Sequence, residues 1–140
     1  MWHKLTSSLA CMAICVAAAV THAEEHTKDS FATIKENITA KKAVLIDVRD
    51  KSEWDRGHVE GAIFLPLSEL KKQDRPEELL TKLPKDRILY THCVVGMRSL
   101  KAAEILKKHG YKVRALKPGY EELIKAGFEA AKPEEVEKAK

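Results

Sequence analysis

The chain has 140 residues, of which 44% are hydrophobic and 33% charged, and its formal net charge is +4. A chain of this length folds as one domain and buries roughly two thirds of the surface that its unfolded state exposes. Its basic side chains are interleaved with acidic ones rather than clustered, which argues against a nucleic-acid-binding protein. A weak attraction for small anions is compatible with the charge.

The first 23 residues have the pattern of a secretory signal peptide. A short start containing Lys4 precedes an uncharged, alanine-rich run at 9–20, and Ala23 ends a cleavage motif of small residues. The run has 12 residues, whereas a membrane-spanning helix needs about 20. The sequence therefore predicts a cleavable signal peptide at 1–23, no membrane anchor after cleavage, and a periplasmic protein.

Cysteine usage changes with this cleavage. Removal of 1–23 takes away two of the three cysteines and one charged residue, Lys4, so the mature chain keeps Cys93 alone and a net charge of +3. A single thiol cannot form an internal disulfide. In an oxidising compartment it is a reactive thiol, one half of an intermolecular bridge, or a buried inert side chain. The count alone leaves these alternatives open.

The mature chain begins with a polar stretch, 24–29, which we predict to be a flexible lead-in. Ser30 follows as a helix cap, and Phe31, Ile34 and Ile38 have the spacing of one helical face. The domain is therefore expected to begin at residue 30. It is expected to end near residue 130, before a charged tail at 131–140.

Apolar runs and helical patterns alternate through the domain. In chain order they predict a strand at 43–46, a loop or short helix at 47–58, a strand at 62–65, a helix from Ser68, and then a strand at 87–91, a helix at 100–109, a strand at 112–116 and a helix at 120–126. This alternation indicates an α/β fold with three layers. We expect a mainly parallel central sheet of four to five strands with helices on both faces.

Cys93 follows the third predicted strand and precedes a helix. Ligands of open α/β sheets bind beyond the carboxyl ends of the strands, and the free amides and dipole of a helix start favour an anion. The nucleophilic thiolate is favoured at such a place. Gly96 permits a backbone conformation that a Cβ resists, Arg98 offers a planar cation for oxyanions, and Ser99 can cap the helix or donate to an anion. His92, next to Cys93 on a strand, is expected to point the other way and to be structural.

Three stretches of the chain resemble the rhodanese family. The run from Cys93 to Ser99 has the form C-x-x-G-x-R-S of that family's active-site loop. The run 44–49 resembles its strand ending in D-x-R, and 53–63, followed by Pro66, resembles its E-[FYW]-x-x-G-H-[IV]-x-G-A segment. The resemblance covers about residues 30 to 130, which is most of the mature chain.

The resemblance implies a sulfurtransferase of the thiosulfate type. Cys93 would form a persulfide and pass its outer sulfur from a small anionic donor to cyanide or a thiol, with no metal and no organic cofactor. Arg98 would bind the anionic donor. The implied substrate-binding residues are Val94, Val95, Gly96, Met97, Arg98 and Ser99. The implied structural supports are Asp47, Arg49, Gly57 and His58.

The loop departs from the family at its second and third positions. Val94 and Val95 are apolar where many members have a polar or basic residue, which would suit a less polar donor or a protein acceptor. A second departure is Leu123, which stands where the family often has tryptophan before its last helix. We interpret this difference as a variation in packing.

Other interpretations of the loop are a non-catalytic persulfide carrier or partner-binding module and a cysteine-loop phosphatase. Phosphatase loops follow H-C-x5-R, whereas four residues separate Cys93 from Arg98, so the cradle is smaller. Thiol–disulfide exchange within the chain is excluded because the mature part has no second cysteine. No cluster with metal-ligand spacing accompanies His92 and Cys93.

Overall fold

The computed structural model describes residues 23–74 and 77–132. The predicted signal peptide, apart from Ala23, and most of the charged tail lie outside the described residues. Within the two described ranges, none of the helices combines the length and the apolar character that crossing a bilayer requires.

Helices and strands alternate along the described chain. Their order is α1 (Phe31–Thr39), β1 (Ala43–Asp47), α2 (Lys51–Asp55), β2 (Ile63–Phe64), α3 (Leu67–Leu70), α4 (Glu77–Thr81), β3 (Ile88–His92), α5 (Met97–Lys108), β4 (Lys112–Ala115) and α6 (Tyr120–Lys125). Each predicted strand and helix has a counterpart in this order. The Ser30 side chain accepts a hydrogen bond from the backbone N of Thr33 at 3.1 Å and so caps α1.

The four strands form one parallel sheet in the order β2-β1-β3-β4. The central pair, β1 and β3, is aligned so that Asp47 at the end of β1 lies opposite His92 at the end of β3. The predicted mainly parallel α/β sheet is confirmed. Since all the strands point the same way, their carboxyl ends and the loops that follow them meet at one edge.

A hydrophobic core lies on each face of the sheet. One core packs α3, α4 and α5 against the sheet, with Leu70, Leu80 and Leu106 among its buried residues. The other packs α1 and α6 against the opposite face through Ile34 and Leu123. The predicted three-layer arrangement, with helices on both faces, is confirmed.

The segment before α1 contacts the edge of the sheet. His26 pairs with Ala115 at the end of β4, and the backbone N of Thr27 donates to Ala115 O at 2.8 Å. The Asp29 carboxylate accepts hydrogen bonds from the Tyr90 hydroxyl and from Arg114, each at 2.6 Å. The flexibility expected for 24–29 concerns motion and stays a prediction.

Side chains alternate between the two faces along β3. Leu89 and Cys93 belong to the core on the α5 side, and Tyr90 belongs to the core on the α1 and α6 side. Because successive residues of a strand face opposite ways, His92 lies on the Tyr90 side, where it meets Asp47 at 3.6 Å. The thiol and the neighbouring imidazole therefore point to opposite faces of the sheet.

Candidate active site

The candidate site is the loop that joins β3 to α5. Cys93 is its first residue, and Gly96 is the N-cap of α5 with φ of 91°. This left-handed conformation suits glycine. The turn directs the backbone N of Gly96 toward the sulfur, and the N–H donates to Cys93 Sγ at 3.2 Å. The loop thus aims one main-chain donor at the thiol, as the sequence predicts for a site that stabilises a sulfur anion.

The Cys93 residue is 1% exposed and packs with the core on the α5 side. Its burial alone would suit an inert cysteine. The hydrogen bond from the Gly96 N–H distinguishes Cys93 from an inert core cysteine, because it gives the sulfur a polar partner at the start of a helix. In a persulfide the outer sulfur lies about 2 Å beyond Sγ, so the transferable atom is farther along the loop than the buried thiol.

Gly119 closes the site from the side of α6. A Cβ built on this residue would lie 2.3 Å from the carbonyl oxygen of Val94 and 2.9 Å from that of Cys93. Gly119 is also the N-cap of α6, and its N–H donates to Glu122 Oε2 at 2.9 Å. The start of α6 therefore packs directly against the first peptide groups of the cysteine loop. Sequence reasoning did not place Gly119 in the site.

The carbonyl of Gly96 is held by two side chains, one from the next turn of the chain and one from the segment before α1. Ser99 Oγ lies 2.7 Å from Gly96 O and 2.6 Å from Leu116 O, and His26 Nε2 lies 2.9 Å from Gly96 O. Ser99 is fully buried. Its hydroxyl thus tethers the helix start to the residue after β4, and the helix cap expected of Ser99 is provided by Gly96. A role of Ser99 toward a substrate stays a prediction.

Arg98 is paired with a carboxylate from α2. Its Nη1 donates to Glu53 Oε2 at 2.7 Å and its Nη2 to Glu53 Oε1 at 3.0 Å. Asp50 Oδ2 is 3.4 Å from Nη1. The hydrogen bonds from Arg98 hold the pKa of Glu53 at about 2. The same hydrogen bonds raise the pKa of Arg98.

Sequence reasoning missed Glu53. The spacing of Asp50 and Glu53 indicates a capping box at the start of α2, and the structure contains that box. A capping box accounts for the glutamate locally and gives no sign of a partner 45 residues away. Binding of an anionic donor by Arg98 stays a prediction.

Arg49 and Asp47 form a buried ion pair beneath the loops. The Arg49 Nη2 donates to Asp47 Oδ2 at 2.6 Å and to the carbonyl of Gly57 at 2.7 Å. The guanidinium also lies 4.8 Å from the ring centroid of Tyr120, at the start of α6. These contacts connect the end of β1 with the turn after α2 and with α6.

His58 follows Gly57 in the sequence and packs on Trp54 rather than on the ion pair. Its ring stacks on Trp54 with 3.5 Å between the ring centroids, and its Nδ1 lies 3.2 Å from Trp54 O. The residue is buried. The residues expected to act as structural supports are thus buried or half-buried, and Arg49 and Gly57 also line a cleft beside the cysteine loop.

His92 is fully buried, and its burial lowers the pKa to about 4, although the Asp47 carboxylate opposes the shift. The unfolded chain protonates this histidine at its ordinary pKa near 6.5, and the folded protein only near 4. Protonation between these values therefore favours unfolding. We expect the free energy of unfolding to fall by about 2 kcal/mol between pH 7 and pH 5.

Denaturant unfolding at a series of pH values measures this slope. The variant His92→Gln removes the titrating ring, and its stability should change much less over the same interval. An equal slope in the wild type and the variant would show that other groups cause the dependence.

The mouth of the loop is apolar. Among the described residues, the large hydrophobic side chains with substantial exposure are Val94 at 48%, Val95 at 70%, Met97 at 70% and Phe31 at 38%. Three of these four lie in the cysteine loop and the first turn of α5. Phe31 lies apart from them and packs edge-on against Phe128. Most of the large exposed hydrophobic side chains of the described residues therefore lie in the cysteine loop and the first turn of α5.

A cleft of about 320 Å³ adjoins this mouth. Its lining includes Val94 of the loop, Arg49, which is paired with Asp47, and Glu53, which is paired with Arg98. The other lining residues include the exposed or half-exposed Arg56, Tyr120, Glu121 and Glu122. Positively and negatively charged side chains are thus both present beside the loop. Within the described residues, no group of three or more His, Cys, Asp or Glu side chains is arranged to hold a metal ion.

A family model described as "Rhodanese-like domain" matches residues 30–126. The match begins at the N-cap of α1, ends just after α6, and includes the whole cysteine loop. It therefore covers every helix and strand of the described fold.

Two curated proteins illustrate the sequence similarity. The probable adenylyltransferase/sulfurtransferase MoeZ of Mycobacterium tuberculosis is 41% identical over 73 residues, which are 52% of this chain and 18% of that protein. The thiosulfate sulfurtransferase PspE of Escherichia coli is 39% identical over 67 residues, which are 47% of this chain and 60% of that protein. The matches thus span less than two thirds of these relatives.

A solved structure has the same architecture. The rhodanese-related protein from Thermoplasma volcanium superposes with a TM-score of 0.59 at 28% sequence identity, and the match covers 72% of this chain and 93% of that one. The two chains therefore share the same fold.

Proposed function

The chain belongs to the rhodanese-like domain family, and we propose that it transfers sulfur as a persulfide of Cys93. Two of the proteins to which it is similar are named as sulfurtransferases. The observation that carries the proposal is the Gly96 N–H directed at Cys93 Sγ at the start of α5. A sulfur anion formed there receives a hydrogen bond and the favourable end of a helix dipole.

The proposed reaction has two steps of covalent catalysis. The Cys93 thiolate attacks the outer sulfur of a donor such as thiosulfate. A bond forms between Sγ and that sulfur, the bond to the sulfite sulfur breaks, and sulfite leaves with the electron pair. Cyanide or a thiolate then attacks the outer sulfur of the persulfide and releases the Cys93 thiolate. Thiocyanate or a new persulfide is the product.

The protein contributes mainly fixed dipoles to this chemistry. His92, the neighbouring imidazole, faces the other side of the sheet and holds its proton only below a pKa of about 4, so it is not placed to exchange protons with the thiol. Stabilisation of the thiolate and the persulfide anion falls to the loop amide and the helix start. The tether of Ser99 and His26 to the Gly96 carbonyl holds that amide in position.

Intact-mass measurement tests the proposal. The protein comprising residues 24–140 is treated separately with thiosulfate, polysulfide and a persulfidated thiol, and then with cyanide. We expect a gain of about 32 Da for one sulfur atom, and its loss as thiocyanate forms. Failure to gain sulfur from all three donors would contradict the proposed function.

A persulfide carrier is the second candidate. The exposed apolar residues Val94, Val95 and Met97 favour it, because such a patch at the mouth of a reactive site suits contact with another protein. A carrier would form the persulfide and turn over slowly with cyanide, yet pass sulfur rapidly to its partner protein. Multiple-turnover cyanolysis of thiosulfate distinguishes the two candidates.

We also propose that residues 1–23 are removed on export and that the protein acts in the periplasm. The proposal rests on the short apolar run and the small residues before the expected cleavage site. Expression of the full chain in a bacterium with two membranes should give periplasmic protein with Glu24 at its N-terminus. An intact N-terminus on cytoplasmic protein would contradict it.

A further inference from the structure

The Arg98–Glu53 pair changes what the site offers to a donor. A guanidinium binds an oxyanion through two parallel N–H groups, and both terminal nitrogens of Arg98 already donate to Glu53, at 2.7 and 3.0 Å. The positive charge is balanced by a carboxylate that is itself mostly buried, with a side chain only 17% exposed. A second anion at Arg98 must therefore compete with an intramolecular one.

Glu53 is held in place independently of Arg98. It lies in the first turn of α2, and its Oε2 accepts a hydrogen bond from the Asp50 backbone N at 2.9 Å. Its pKa of about 2 keeps it charged at every pH at which the protein would work. Asp50 adds a further carboxylate 3.4 Å from Nη1, although its side chain is 65% exposed and its effect is screened.

The exposed side chains of the cysteine loop itself are apolar, as described above. Val95 and Met97 are each 70% exposed, and they flank the turn whose amide faces Cys93. A donor that approaches the sulfur meets hydrocarbon at the loop and a neutralised cation at Arg98. A doubly charged anion gains little binding energy from the apolar loop, and it must displace Glu53 in order to bind Arg98.

We propose that Glu53 is a specificity-determining residue that, by holding Arg98, disfavours the thiosulfate dianion and favours donors whose sulfane sulfur is attached to an apolar, singly charged or uncharged group. The proposal rests on the proposed sulfurtransferase function and names its substrate class. It differs from the role in binding thiosulfate that the family resemblance implies for Arg98.

Organic thiosulfonates give a matched series of donors. In benzenethiosulfonate and methanethiosulfonate the sulfane sulfur is bonded to a sulfonyl sulfur, as in thiosulfate, but the anion carries one charge and an organic group. The Cys93 thiolate attacks the sulfane sulfur and the new S–S bond forms. The bond to the sulfonyl sulfur breaks, and a sulfinate leaves with the electron pair, in place of sulfite.

The experiment measures the second-order rate constant of Cys93 persulfide formation with each donor. The wild type and Glu53→Gln are compared by intact mass at timed intervals. Differences in the intrinsic reactivity of the donors cancel when the rate of each variant is expressed relative to that of the wild type with the same donor. Glu104→Gln is the matched control, because it removes an ion-paired glutamate from α5 at a distance from the loop.

We expect the preference for benzenethiosulfonate over thiosulfate to be greater in the wild type than in Glu53→Gln. Glu53→Gln should raise the thiosulfate rate constant roughly tenfold while changing the benzenethiosulfonate rate constant about twofold or less, since it exposes one unit of positive charge to the donor. The gain should vanish in the double variant Glu53→Gln, Arg98→Gln. Glu104→Gln should leave all the rates unchanged.

The apolar part of the proposal has its own variant. Val95→Ser replaces an exposed side chain, so the fold should tolerate it. We expect this variant to lose rate with benzenethiosulfonate, by about threefold, and to keep its rate with methanethiosulfonate and thiosulfate. Equal rates for Val95→Ser and the wild type with benzenethiosulfonate would contradict a contribution of the apolar loop residues to donor preference.

Two results would overturn the role of Glu53. If Glu53→Gln slows thiosulfate as much as the thiosulfonates, the glutamate only keeps the loop in shape. If it changes no rate, the pair does not act on the donor. Both results leave the sulfurtransferase function standing, whereas a wild type that takes up sulfur from no donor contradicts the function itself.

Discussion

Cys93→Ser should abolish sulfur uptake from every donor. The serine hydroxyl can still accept the Gly96 N–H, but it is not ionised at neutral pH and forms no persulfide. Residues 24–140, the protein used in these measurements, contain no other cysteine, so no second thiol can take over the reaction. We expect no gain in intact mass with thiosulfate, a thiosulfonate or polysulfide, compared with about 32 Da in the wild type.

The same variant should remain folded. Replacing the buried thiol by a hydroxyl that still accepts the Gly96 N–H should lower the free energy of unfolding by about 1–2 kcal/mol. Thermal unfolding measures this change. Cys93→Ala serves as the second variant, because it removes the hydrogen-bond acceptor as well. Sulfur uptake by either folded variant would place the reaction elsewhere in the protein and would contradict the assignment of Cys93.

Gly119→Ala should cause the largest loss among substitutions outside the thiol itself. The new Cβ would lie 2.3 Å from Val94 O and 2.9 Å from Cys93 O. Both atoms are backbone, so either α6 or the cysteine loop must move. We expect a loss of about 3 kcal/mol in the free energy of unfolding. Because the loop amide no longer fits the sulfur, the rate of persulfide formation should fall about 100-fold.

Gly61→Ala is the control for this prediction. Gly61 has φ of 76°, and a Cβ there meets nothing within 4 Å. The substitution therefore adds backbone strain of about 1 kcal/mol without a collision and should leave the rate of persulfide formation unchanged. A Gly119→Ala protein with wild-type rate would show that the loop tolerates displacement by α6.

The sheet could be predicted because its signals are local. The central strand β1 is a short apolar run between turns, as buried parallel strands are, and β4 alternates exposed with buried residues, as an amphipathic strand does. Gly96, predicted to adopt a backbone conformation that other residues resist, has the positive φ that makes the turn before α5 possible. The start of α5 was placed at Leu100, whereas the helix begins at Met97, because an exposed Met and an Arg at a helix start do not add to its apolar face.

The contacts around the loop could not be predicted because they join distant residues. Glu53 meets Arg98 across 45 residues, and His26 meets Gly96 across 70. Gly119 is a turn residue by its sequence, after Pro118, and only the packing of α6 shows that its missing side chain makes room for the loop. The nucleophile was apparent from the local pattern, and the surroundings that tune it were not.

The opposite orientations of His92 and Cys93 have a consequence for how such a protein can change. Adjacent positions on a strand are separated by the whole thickness of the sheet, so no rotamer brings the imidazole to the sulfur. A built-in proton acceptor would have to come from another segment, or β3 would have to slip by one residue, which exchanges the two faces and exposes the apolar core. The pleat of the backbone thus keeps the Cys93 thiol apart from the imidazole of its neighbour in the sequence.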